Sequence, residues 1–208
     1  LDQTGKYLML ANYLAGNIVV YPIKEDGTLA DPTGNAMHTG SSVNPARQLE
    51  PHPHAFVPSP DNKFAYVPDL GTDKIHSYEF DDNTGKIKVR EDLNVKVEAG
   101  AGPRHLIFHP SGKFAYMTLE LFGQVAAYRY KSGNLIPIGT YNLVSEGEKS
   151  QSAEVRNTPD GKFLYVSNRG HDSITGFSVN DETGELTKIQ VISTEGEKVL
   201  YAAIQDIT

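Results

Sequence analysis

The feature that most constrains this chain is a short hairpin that returns four times. Aligned on the lysine after its turn, it recurs at Lys6, Lys63, Lys113 and Lys162, at spacings of 57, 50 and 49 residues. Each copy continues with aromatic and small residues: Lys6-Tyr7-Leu8, Lys63-Phe64-Ala65-Tyr66, Lys113-Phe114-Ala115-Tyr116 and Lys162-Phe163-Leu164-Tyr165. A third strand follows each one, at Asn17 to Tyr21, Lys74 to Phe80, Gln124 to Tyr130 and Ser173 to Val179. A Gly-containing turn and a fourth strand close each unit, as at Asp82-Asn83-Thr84-Gly85 and Asp181-Glu182-Thr183-Gly184. Four antiparallel strands repeated about every 50 residues predict an all-β chain of propeller blades. Residues 1–208 are expected to form a single β-propeller domain, with four units and a stub near Val199. The first unit lacks its inner strand, and Val199-Leu200-Tyr201 arrives only 36 residues after Phe163-Leu164-Tyr165. The four units are therefore expected to be consecutive blades of a larger ring.

Composition narrows the function classes. A net charge of −7 argues against nucleic acid as partner. No 18-residue apolar run is present, so no membrane span is expected. Cysteine is absent, which excludes a disulfide framework and fits a cytoplasmic protein. Nothing at Leu1 reads as a secretory signal, and no Gly-x-Ser-x-Gly elbow points to a serine nucleophile.

The third hairpin indicates where the chemistry lies. An antiparallel hairpin sets the start of its first strand beside the end of its second. Arg104 and His105 open one strand and Glu120 ends the other, so these groups should meet at one rim. By the same logic His54 opens the inner strand of the second unit, while Asn168 and Arg169 end the second strand of the fourth. Gly170 permits a backbone bend after Arg169, and His171 follows in the loop. Glu154, near the start of the fourth inner strand, is placed to orient Arg169. Asp69 has the choice of a local salt bridge or the site; Asn12, His76 and His109 read as structural, and Arg90 and Arg129 as surface charges.

An acidic chain that gathers Arg104, Arg169, His54, His105 and His171 at one rim is suited to an anion. The planar fork of arginine fits phosphate or carboxylate in bidentate fashion. In this reading Arg104 or Arg169 grips the anion, Glu120 or His54 takes a proton from water, and His105, His171 and Asn168 contact the substrate. A neighbouring cation favours the ionised form of Glu120, which is the form a base needs. No cofactor or metal is called for. Arginines beside the site disfavour a calcium ion held by Glu120, Asn168 and Asp69.

The chain resembles the seven-bladed propeller lactonases, which include bacterial-type 6-phosphogluconolactonases and carboxy-muconate cyclases. The resemblance is carried by Gly40-Ser41-Ser42-Val43-Asn44-Pro45, Pro51-His52-Pro53-His54, Gly102-Pro103-Arg104-His105, Glu120-Leu121 and Ser167-Asn168-Arg169-Gly170-His171-Asp172. It implies seven blades, of which these residues would supply a little over half, and metal-independent hydrolysis of an anionic sugar lactone. 6-Phosphogluconolactone, of the oxidative pentose-phosphate route, is the leading substrate. Two alternatives stand beside it: a carboxy-muconate cycloisomerase and a non-catalytic binding module. The partner is a small-molecule anionic lactone in the first reading, and the oligomeric state is left open.

Overall fold

The computed structural model describes residues 1–197 and Val199. The stub expected near Val199 lies, that residue aside, outside them. The chain divides into two compact units at residues 103 and 104.

The first unit holds two antiparallel sheets. One is β1 (Tyr7–Asn12), β2 (Asn17–Pro22) and β3 (Gly34–Met37), in that order. The other is β4 (Val57–Pro58), β5 (Phe64–Asp69), β6 (Lys74–Asp81) and β7 (Lys86–Val89), with the short β8 (Val95–Lys96) also paired to β6. Its core gathers Tyr7, Ile18, Val20, Val67, Tyr78 and Phe80.

The second unit holds two four-stranded sheets. In one, β9 (Pro103–Phe108), β10 (Phe114–Leu119), β11 (Gln124–Lys131) and β12 (Asn134–Asn142) follow one another. In the other, β13 (Gln151–Asn157), β14 (Phe163–Arg169), β15 (Ser173–Val179) and β16 (Leu186–Ser193) do the same. These meanders are the blades that the repeat predicts. The strands after Lys113 and Lys162 meet in one buried cluster, Phe114 and Tyr116 from the first and Leu164 and Val166 from the second, with Val125, Val155 and Phe177. Each such side chain contributes roughly 1.5–3 kcal/mol by leaving water. The histidine of the β9–β10 turn belongs to this scaffold, with Nε2 of His109 2.9 Å from the carbonyl of Gly161 and Nδ1 2.8 Å from Ser111 Oγ.

Two local irregularities position side chains. The pairing of β13 with β14 shifts register between Ser152 and Val155, a bulge that re-aims the residues inside it. At the end of β10 the chain leaves the strand for a 3-10 turn, Glu120–Phe122. Gly123 stops this turn in the left-handed region at φ 62°, and a Cβ there would sit 2.6 Å from the carbonyl oxygen of Ser150.

Candidate functional site

The β9–β10 hairpin brings Arg104 and Glu120 together, as its ends require. Nε of Arg104 lies 3.1 Å from Oε2 of Glu120. Arg169, the last residue of β14, comes from the neighbouring sheet and places Nη2 2.7 Å from the same oxygen. Glu120 is 1% exposed and Arg104 8%. Two guanidiniums against one carboxylate leave the cluster with an excess positive charge. Burial lowers the Arg104 guanidinium from its ordinary value; the Glu120 charge opposes this, Arg169 adds to it, and Glu154 opposes it again.

Both arginines pair with Glu120, yet part of their hydrogen-bonding capacity is left over. Nε and Nη1 of Arg104, and Nε and Nη2 of Arg169, are buried without an aligned hydrogen-bond acceptor among the described residues. Buried polar groups are ordinarily satisfied, and charged ones above all. Nη1 of Arg104 and Nε of Arg169, neither of them in these ion pairs, are the two nitrogens that offer a seat for an anion.

A second cluster was not expected from the sequence. Glu154, on β13 and 1% exposed, holds Nδ1 of His105 2.8 Å from its Oε2 and Nη2 of Arg156 2.8 Å from its Oε1. The assignment of Glu154 to Arg169 is therefore corrected: Arg169 goes to Glu120, and Glu154 serves His105 and Arg156. The signal that was present is the pair of charges two apart in an inner strand, Glu154 and Arg156, where apolar residues would be the rule. β13 packs against the turn that carries Glu120, and the charge of Glu154 reaches Arg104.

The other expected residues lie elsewhere. Asn168 is fully buried, with Nδ2 donating to Ser173 Oγ and Thr175 Oγ1, both at 2.9 Å. It ties β14 to β15 from the interior, and strand alternation turns it opposite to Arg169. His171 places Nδ1 2.7 Å from Ser173 Oγ and Nε2 3.5 Å from Glu148, so it is not part of either arginine cluster. In the first unit, His54 stands edge-on to Tyr13 at 5.2 Å between ring centroids, and His52 stacks on the same ring at 4.4 Å.

Asp69 resolves as structural. Its Oδ1 accepts the backbone N–H of His52 at 2.7 Å and of Gly71 at 2.9 Å, and its Oδ2 meets Nδ1 of His38 at 2.6 Å. His38, Asp69 and His76 offer donor atoms within 4.8 Å of one another, a spacing that could hold a metal. Both ring nitrogens of His38 are engaged, however, Nε2 lying 3.0 Å from the Tyr78 hydroxyl, and Nε2 of His76 meets Thr72 Oγ1 at 3.1 Å. The three close as a hydrogen-bonded network.

Beside Arg169 the second unit opens a cavity of about 940 Å³. Leu121, Phe122 and Val144 give it an apolar wall, and Glu148, Lys149 and Arg169 a charged one. The cationic cluster thus adjoins a space large enough for a sugar-sized ligand.

Buried Arg104 and half-buried Arg169 stand at the ends of blade strands, with Arg169 beside this cavity, on a propeller fold. Residues 1–198 match the family described as lactonase, 7-bladed β-propeller, and the chain belongs to that family. It is 37% identical over 200 residues to the 6-phosphogluconolactonase of Bacillus subtilis, covering 94% of this chain and 56% of that protein. The 6-phosphogluconolactonase of Formosa agariphila is 36% identical over 201 residues, 95% and 57% of the two chains. Among solved structures, the periplasmic gluconolactonase PpgL of Pseudomonas aeruginosa superposes with a TM-score of 0.88 at 35% identity, over 95% of this chain and 57% of its own. The chain thus spans a little over half the length of these relatives. Among the described residues no helix is long and apolar enough to cross a membrane.

Proposed function

We propose that the protein of which this chain is part hydrolyses an anionic sugar lactone, with 6-phosphogluconolactone as the leading substrate. The observation that carries this reading is the pair Arg104 and Arg169, which share Glu120 and keep buried N–H groups, Nη1 of Arg104 and Nε of Arg169, outside that pairing. The names of the relatives support the lactone half of the reading, and the orphaned guanidiniums support the anionic half.

The roles follow from the contacts. Arg104 and Arg169 take the phosphate or carboxylate oxygens in charge-assisted bonds. Glu120 holds the two guanidiniums at a fixed spacing against their mutual repulsion. Two cations on a single oxygen favour its ionised form and weaken its pull on a water proton. Glu120 therefore suits the task of setting the arginines better than that of the expected base. The Leu121 and Phe122 wall receives the carbon face of the sugar.

The test compares hydrolysis of 6-phosphogluconolactone and of unphosphorylated gluconolactone by the intact protein. A kcat/KM at least tenfold higher for the phosphorylated lactone is expected. Equal values would remove the anion from the reading, and no turnover of either would remove the lactone.

A further inference from the structure

We infer that Gln151 reads the hydroxyl groups of a ligand whose anionic end sits on Arg169. The substrate class is then a polyhydroxylated anion and not a hydroxyl-free carboxylate. The inference rests on the lactonase reading above and adds to it the group that recognises the sugar.

The strand register places the residue. β13 and β14 pair antiparallel with Gln151 opposite Arg169 and Ser152 opposite Asn168. Directly opposite residues set their Cβ atoms roughly 4.5–5.5 Å apart on one face of a sheet, and the next pair faces the other way. Burial follows that alternation. Ser152 and Asn168 are fully buried, while Gln151 is exposed and Arg169 half-buried. Gln151 and Arg169 both line the cavity. The bulge in β13 begins only after Ser152, so the pairing of Gln151 with Arg169 is regular.

A comparison with the neighbouring sheet shows what is unusual here. Asn142, another amide on the cavity wall, lies opposite Gln124 in the pairing of β11 with β12. Those two side chains satisfy one another, Gln124 Nε2 donating to Asn142 Oδ1 at 2.9 Å. The cross-strand partner of Gln151 gives it no such bond, because Nη2 of Arg169 goes to Glu120 at 2.7 Å. Among the described residues the Gln151 amide has no hydrogen-bond partner.

The chemistry of that amide suits a hydroxyl. A primary amide carries two N–H donors and a carbonyl acceptor in one plane, and a hydroxyl group uses both a donor and an acceptor. A carboxylate such as a muconate offers acceptors only, and the amide carbonyl would find nothing to accept from it. Across the cavity wall Phe122, 39% exposed, supplies an apolar surface. A pyranose ring has an apolar C–H face and a polar rim, and this wall offers a partner to each. Arg169 takes the charge, Gln151 the hydroxyls and Phe122 the carbon face.

Calorimetric binding to the intact protein tests this, with two probes that share a phosphate and a carboxylate. One is 6-phosphogluconate; the other is 6-phosphohexanoate, the same chain without its hydroxyl groups. Wild-type protein is expected to bind 6-phosphogluconate about tenfold more tightly or better. Gln151→Leu is expected to weaken 6-phosphogluconate about 3- to 10-fold and to leave 6-phosphohexanoate within about twofold. Because Gln151 is exposed, this substitution should hold the thermal midpoint within about 2 °C. Discrimination that survives Gln151→Leu would overturn the assignment. Equal binding of the two probes by the wild type would overturn it without any variant, and would leave the anion site standing. Wild-type protein that binds neither probe loses the anion site proposed above and this inference with it, a failure seen before any substitution is made.

Discussion

Oε2 of Glu120 and Nη2 of Arg169 lie 2.7 Å apart, although one opens the turn after β10 and the other ends β14 of the next sheet. The contact couples the end of β10 to the end of β14 and gives Arg104 a second cation as neighbour. Its cost in repulsion is offset by Glu120 and, at Arg104, by the charge of Glu154.

Replacing Arg104 by Ala removes one charge-assisted contact, worth about 1.5–3 kcal/mol. KM for a phosphorylated lactone should rise roughly 10- to 150-fold, and that for the neutral analogue far less. Steady-state kinetics on the two substrates decide it, and equal changes would show that Arg104 does not read the anion.

Glu120→Gln distinguishes the holder of arginines from the base. As a holder, its loss lets Arg104 and Arg169 separate, so KM for the anionic substrate rises about tenfold or more while kcat falls less. If kcat instead drops about 100-fold at constant KM, Glu120 is the proton acceptor.

The histidine network of the first unit predicts a stability profile. Burial and the nearby His38 charge lower His76 from 6.5 to about 4, Asp69 opposing them. A group whose folded value is depressed stabilises the fold in its unprotonated form. That contribution is complete above about pH 6.5 and is lost progressively as pH falls through the folded value, about 4. The denaturant midpoint should therefore decline over this window, and His76→Gln should flatten the decline. Asp69 follows at lower pH: burial raises its carboxyl, but the His38 contact and the His52 N–H outweigh this and leave it below 3.8. Its contribution is present above that value and disappears in stronger acid. A midpoint independent of pH from 7 to 4 would count against the network.

Gly123→Ala should disturb the site from outside it. The residue sits at φ 62° and its new Cβ would press on the Ser150 carbonyl. A loss of at least about 1 kcal/mol is expected, with a raised KM because the turn carrying Glu120 shifts. Unchanged thermal stability would mean that the Ser150 segment yields.

What could be read from the chain beforehand was whatever follows from strand ends. The lysine-anchored period announced the blades, and the hairpin logic placed Arg104 with Glu120. Parity was harder. Along a regular strand, side chains alternate faces, which is why Asn168 is buried where Arg169 is not. In β13 the bulge between Ser152 and Val155 breaks that alternation, so the direction of Glu154 could not be counted from its neighbours. The pairing of Glu154 with His105 arises in packing between sheets, which a one-dimensional pattern does not encode; Arg156, two residues along the same strand, was the part within reach.

The 3-10 turn Glu120–Phe122 faces two tasks at once. Its first residue meets the arginines, and its last lines the cavity. Three residues of one turn have almost no freedom to move separately. A change at Phe122 that widens the cavity for a bulkier sugar will therefore also tilt Glu120 and loosen the grip on the anion. Substrate size and anion affinity are mechanically linked in this scaffold, and a variant selected for one will show the other drifting with it.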